Sequence, residues 1–170
     1  MLKRLGIAPD RLYEYPHQMS GGMRQRIMIG IALVLNPDLL LADEPTTSLD
    51  VIVEAQFLDL LNELREQFNL TILLISHNIG IVAQMADRVT VMYGGRIAEN
   101  GSAAAVFADP RHPYTQGLLS STLKLGEEKD RLEIIEGTVP DLAALPAGCA
   151  FHPRCPHRFE PCDAQAPSLS

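Results

Sequence analysis

Leu39-Leu40-Leu41-Ala42, followed at once by Asp43-Glu44-Pro45, is the stretch that most restricts what this chain can become. A short apolar run ended by turn residues fits a strand buried on both faces of a parallel sheet. In α/β sheets, ligands bind beyond the carboxyl ends of the strands. Two acids at such an end are costly to bury unless they meet a cation or a water network. Asp43 suits a magnesium shell, directly or through water. Glu44 suits a group that orients or deprotonates an attacking water. Taken alone, the same pattern also describes an ordinary strand end, so its neighbours decide its meaning.

Upstream, Pro16 and His17 lead into Ser20-Gly21-Gly22. Ser20 is a good helix N-cap, and Met23 to Leu35 holds few breakers apart from Gly30. That helix should end near Asn36-Pro37, because a residue before proline avoids the helical region. Free N–H groups at a helix start, beside two glycines that let a ligand approach, form an anion site. By itself such a tripeptide is more often only a helix cap after a glycine turn. Further upstream, Met1 to Leu5 reads as the end of a helix stopped by Gly6 and Pro9.

Downstream, Thr46 to Asp50 forms a polar turn, and Asp50 can cap a helix from Val51 to Phe68. Ile52, Ala55, Leu58, Leu61, Leu64 and Phe68 would make its apolar face. A second strand, Leu70 to Ile75, ends in Ser76-His77-Asn78. One strand–helix unit after Asp43-Glu44, His77 falls on the same edge of the sheet. From there it could reach a γ-phosphate or hold the attacking water. A short helix, Ile79 to Met85, precedes two strands, Arg88 to Tyr93 and Arg96 to Glu99. Gly94-Gly95 joins them in a tight turn.

Composition narrows the rest. The 170 residues suit one ordinary domain with an appendage. Apolar residues make up 46%, enough for a packed core. No run approaches the roughly 18 apolar residues of a membrane span. The first ten residues are too polar for a signal peptide, so a cytosolic chain is expected. A net charge of −7 argues against nucleic acid as the main partner.

The tail opens with a short helix from Ser102, its cap, to Ala108. Pro113 starts another helix, with Tyr114, Leu118 and Leu119 on its apolar side. This reads as a docking helix, and His112 as structural. Leu123 to Glu136 is charged and expected to be exposed, and Glu136 to Asp141 is turn-rich. Cys149, Cys155 and Cys162 are separated by five and six residues, unlike the C-x-x-C knuckle of common zinc sites. Three is an odd count for a disulfide framework. It points to metal, a cluster or inert thiols.

Four motifs stand in register: SGG followed by QR, LLLADEPTTSLD, a strand ending ISHN, and DRVTVMYGGRIAENG. Together they resemble ABC ATPases over nearly the whole chain. The HPYT run and the cysteine tail resemble ATP-binding subunits of the dipeptide/oligopeptide/nickel importer group. The resemblance implies an α/β fold: the C-terminal part of a P-loop NTPase core, part of the helical subdomain, and a Cys-rich extension. The expected division is 1–37 for the helical remnant with the signature motif, 38–101 for the ATPase core, and 102–170 for the extension.

It also implies roles. Ser20, Gly21 and Gly22 would be the signature core, with Met19 and Met23 departing from the common LSGGQ pattern. Asp43 would be the Walker B acid, Glu44 the catalytic carboxylate and His77 the switch histidine. Ser48-Leu49-Asp50 would be the D-loop, with serine where alanine is commoner. The cofactors would be ATP and Mg2+. Cys149, Cys155 and Cys162 would take part in a [4Fe–4S] cluster, for which a fourth cysteine usually follows, or in a zinc site completed by His152 or His157. The alternative is three reduced thiols. The partners would be a second, homologous ATPase subunit in a head-to-tail dimer and transmembrane permease subunits. The location would be the cytoplasmic face of a bacterial or archaeal plasma membrane.

No Gly-rich run ending in Gly-Lys-Ser/Thr occurs, so the chain holds no P-loop of its own. The expectation is therefore a part of such a subunit that hydrolyses no ATP alone. A catalytically silent remnant, or a metal-binding interaction module, is the second expectation.

Overall fold

The computed structural model describes residues 5–47, 49–121 and 134–168. The expected helix end over 1–5, apart from Leu5, lies outside them, as do Ser48 and most of the charged stretch 123–136. The chain divides into two compact units, Met1–Ile81 and Val82–Ser170.

In the first unit, two 3-10 turns, Pro9–Tyr13 and Pro16–Gln18, lead to helix α1, Gly21–Leu33. The Ser20 hydroxyl accepts the Met23 N–H at 3.3 Å, satisfying one free donor of the first turn. The helix ends short of the expected Leu35. Asn36 takes a left-handed conformation, φ 49°, and turns the chain into Pro37.

Strand β1 (Leu39–Asp43), helix α2 (Val51–Phe68) and strand β2 (Thr71–Ile75) follow. The strands pair in parallel, from Leu39 opposite Thr71 to Asp43 opposite Ile75. Asp50 caps α2 through the Val53 N–H at 2.9 Å. Asn69 ends it in a left-handed turn, φ 49°. Phe57, Leu58, Leu60, Leu61 and Leu64 form its buried stripe. Ile52 and Ala55, expected on that face, are exposed.

The expectation of a strand buried on both faces is corrected. Leu40 and Ala42 are buried, but Leu39, Leu41, Leu73 and Ile75 are exposed. Side chains alternate across a strand, and the described elements of this unit cover one face of the sheet.

Helix α3, Ile79–Met85, carries the division point. In the second unit, β3 (Arg88–Tyr93) and β4 (Arg96–Ser102) form an antiparallel hairpin. Gly94 and Gly95 both have positive φ, 56° and 72°, as a two-residue primed turn requires. Pairing continues to Arg88 opposite Ser102, so β4 outruns its expected end at Glu99. Ser102 also caps helix α4, Ala103–Ala108, by accepting the Ala105 N–H at 3.3 Å.

Helix α5, Pro113–Ser120, starts at its proline. His112 is structural, as expected: its Nδ1 accepts the Tyr114 N–H at 3.0 Å. Tyr93, Ala150 and Phe151 make the unit's aromatic core, with Tyr114 packed on it. The Tyr93 and Phe151 rings meet edge to face at 5.1 Å. Among the described residues, no helix is long and apolar enough to cross a membrane.

Candidate functional site

The site lies at the carboxyl end of β1 and β2. Parallel pairing puts Asp43 opposite Ile75, so the residues after each strand emerge side by side. The Glu44 N–H donates to the Ile75 carbonyl at 2.9 Å, extending the ladder by one bond. The chain then leaves the sheet abruptly, because Glu44 has φ 46°, a region that non-glycine residues rarely enter. Such a conformation persists only where surrounding contacts over-determine it, and functional sites are enriched in it.

Those contacts come from His77. Its backbone N–H donates to Glu44 Oε1 at 3.0 Å. Its ring Nδ1 lies 2.8 Å from the same oxygen. A carboxylate only accepts, so the ring proton sits on Nδ1 in this contact. The Thr47 hydroxyl donates to Glu44 Oε2 at 3.4 Å. The His77 side-chain bond is the largest influence holding the Glu44 carboxyl below its ordinary range; desolvation opposes it, and Thr47 adds a little. The His77 side chain is 81% exposed and that of Glu44 36%. The pair is therefore open to a ligand. Asp43 is exposed beside it.

The Ser20-Gly21-Gly22 turn belongs to the same unit. A Cβ on Gly22 would lie 2.7 Å from Val53 Cγ1, so this glycine is required by helix packing as well as offering room for an anion. A Cβ on Gly21 would meet Leu49 at an ordinary 3.9 Å. Ser20 and Gly21 are exposed. Asp50 is committed to the α2 cap.

The three cysteines lie in the other unit. All are free thiols. Among the described residues, no three His, Cys, Asp or Glu side chains gather as a metal-holding group. The ligand set expected for a cluster or zinc site is thus not assembled. The segment is held by its backbone instead. The Cys149 N–H donates to the Cys162 carbonyl at 2.8 Å. His152 turns its Nδ1 to the Cys149 carbonyl at 2.8 Å, not to a thiol. Burial raises the Cys155 thiol, a backbone hydrogen bond from His157 opposes this, and Cys149 and Cys162 add to the rise.

Comparison with known proteins places these features. The family described as "ABC transporter" matches residues 1–47. The family described as "Oligopeptide/dipeptide transporter, C-terminal region" matches residues 98–162. Over its whole length the chain is similar to ABC transporter ATP-binding proteins. The oligopeptide transport ATP-binding protein AppD of Bacillus subtilis is 53% identical over 99% of this chain and 52% of its own length. The dipeptide transport ATP-binding protein DppD of the same organism is 51% identical over 98% of this chain and 50% of its own. The oligopeptide transport ATP-binding protein OppD of Salmonella typhimurium is 51% identical over 94% of this chain and 48% of its own. The chain thus spans about half the length of the curated relatives it matches. Among solved structures, CbiO1 of Clostridium perfringens, part of the ABC transporter complex CbiONQ, aligns with TM-score 0.56 at 38% identity. The alignment covers 64% of this chain and 43% of that one. The α/β fold of an ABC ATPase is therefore established.

Two features of the site were not legible beforehand. Thr47 is the second support of Glu44, but it reads as one more polar turn residue. Gln25 in α1 donates through Nε2 to the Pro45 carbonyl, a link across the sequence that no local pattern signals.

Proposed function

We propose that the chain is the signature- and carboxylate-bearing part of an ATP-hydrolysing subunit that energises import of oligopeptides or dipeptides. The observation that carries this is the meeting of Glu44 and His77 at adjacent parallel strand ends, with Asp43 exposed beside them. The relatives' names supply the cargo class. Bound Mg-ATP would supply the transferable phosphoryl group and its cation.

Asp43 would hold the cation through its exposed carboxylate. Glu44 would orient the attacking water. A carboxylate held below its ordinary pKa positions water better than it captures a proton. His77 would aim Glu44 and, being largely exposed, reach the terminal phosphate. Ser20, Gly21 and Gly22 would serve an ATP bound by a second, homologous subunit arranged head to tail, with Asp50 closing the turn that faces that subunit. The functional division is 1–37, 38–101 and 102–170. The assembly would include transmembrane permease subunits and sit at the cytoplasmic face of the membrane.

Phosphoryl transfer rests on positioning and charge stabilisation, and a phosphate-cradling lysine loop is not in this sequence. The chain alone should therefore show no turnover with Mg-ATP. Combined with a P-loop-bearing half and its partner subunit, it should hydrolyse ATP, and Glu44→Gln should abolish this. Turnover by the isolated chain that Glu44→Gln abolishes would overturn the need for that half. An assembled enzyme indifferent to Glu44→Gln would overturn the assignment of Glu44.

The [4Fe–4S] or zinc assignment of Cys149, Cys155 and Cys162 depends on a rearrangement of the tail. Iron and zinc analysis of anaerobically purified protein tests it.

A further inference from the structure

The N-terminal half of α1 grips the segment that follows Glu44. Gln25 Nε2 donates to the carbonyl of Pro45, the residue directly after Glu44. Gln25 Oε1 is buried without a hydrogen-bond partner among the described residues, so the Pro45 bond is what orients the amide. Gly22 packs on Val53, eight residues beyond Pro45, so α1 touches both ends of that segment. Between them the turn is closed by Thr47 N–H to the Glu44 carbonyl, 3.2 Å, and Leu49 N–H to the Thr46 carbonyl, 3.1 Å. Thr46 is buried, which leaves the turn little freedom. The backbone of Glu44 is itself in a left-handed conformation that needs external support.

We propose that Gln25 is a positioning residue: it locks the Glu44 turn to the signature helix, so that a shift of Ser20-Gly21-Gly22 is passed to the Glu44 carboxylate. The proposal rests on the role given to Glu44 above. It adds that the two half-sites on this chain, which serve different ATP molecules, are mechanically joined. A hydrogen bond and a packed glycine hold the strained Glu44 turn to α1.

The test separates the joint from the function. Gln25→Met removes the donor while keeping the volume. Gln25→Glu keeps the shape and loses the N–H. Gln25→Lys restores a donor of similar reach. In the 170-residue chain, hydrogen exchange at the Thr47 and Leu49 amides should speed up about fivefold in Met and Glu, the scale of one lost net hydrogen bond. Lys should return it toward the parent rate, and amides in the middle of α1 should not change. In the assembled ATPase, Met and Glu should lower kcat about fivefold or more with KM for ATP changed less than about twofold, and Lys should recover part of the loss.

Unchanged exchange in both Met and Glu overturns the joint. Faster exchange with unchanged kcat overturns the positioning role. A Glu44→Gln control that retains turnover overturns the underlying reading of Glu44 instead. Should Gln25→Met lose its fold, the Glu and Lys pair carries the same comparison.

Discussion

Glu44 Oε1 receives two contacts from one residue, the backbone N–H of His77 at 3.0 Å and its ring Nδ1 at 2.8 Å. The bidentate hold fixes the carboxylate relative to β2 as well as β1. Replacing His77 by alanine removes the ring contact and leaves the backbone one. The Glu44 carboxyl should then titrate closer to the ordinary glutamate value of about 4.3. A carbon-detected NMR titration of Glu44 in His77→Ala against the parent reads the change. An unaltered midpoint would show that the ring does not set it. In the parent, the contribution of this pair is present above the unfolded-state pKa and is lost as pH falls through the lower folded value.

Gly22 offers a test of packing. Alanine there gains helix propensity of about 1 kcal/mol. Its Cβ would also press on Val53 Cγ1 from 2.7 Å, and a β-branched side chain cannot swing away. Gly22→Ala should destabilise by roughly 1–3 kcal/mol. In a Val53→Ala background the same change should be neutral or stabilising. A double-mutant cycle by urea denaturation measures the coupling, and additive effects would refute the contact.

Asp50 holds the start of an 18-residue helix with one hydrogen bond. Asp50→Ala should lower stability by about 1 kcal/mol, and Asp50→Asn by much less. Thermal melts of the two variants give the comparison. Equal losses would mean that charge, not capping, is the contribution.

The second unit should weaken on acidification. Burial raises the carboxyl of Glu99, but backbone donation from Arg111 at 2.7 Å and from His112 at 3.1 Å outweighs this and holds it low. Burial also lowers His112, with Glu99 opposing. Both shifts have one sign: stability is present above the unfolded pKa values and is lost as pH falls through the folded ones. The His112 part goes first, below about 6.5, and the Glu99 part below about 4.3. Glu99→Gln should flatten the lower part of this loss while destabilising the hairpin–α5 junction at neutral pH. Tyr93 and Tyr114 fluorescence across pH follows it. A Glu99→Gln protein with the parent's acid profile would refute the assignment.

Cys155 makes a chemical prediction. Its thiol is raised mainly by burial, so alkylation should begin only above the ordinary thiol range. Mass spectrometry of iodoacetamide adducts against pH reads this. Rapid labelling of Cys155 at pH 7 would contradict the part-buried setting of this thiol.

Much of this protein is written in local pattern. The helix bounds of α2 and α3, the Ser20, Asp50 and Ser102 caps, and the Gly94-Gly95 turn follow from near-neighbour chemistry, and the structure reproduces them. The same is true of the placing of Glu44 and His77 on one sheet edge, because a strand–helix–strand unit leaves little choice of edge. The double burial expected of β1 failed because an apolar run tells how much a strand prefers to bury, not how many faces its neighbours cover. Whether the three cysteines form a ligand set was not legible either, because spacing counts residues along the chain, whereas a metal needs thiols to converge in space; among the described residues no such group is gathered. The left-handed Glu44, its support by Thr47, the Gln25–Pro45 link and the seat of Gly22 on Val53 were decided by tertiary structure alone. The Gln25–Pro45 link and the Gly22–Val53 seat join groups whose approach depends on packing between elements, and the Glu44 turn is held in register by its neighbours across the sheet; no residue's own propensity encodes that.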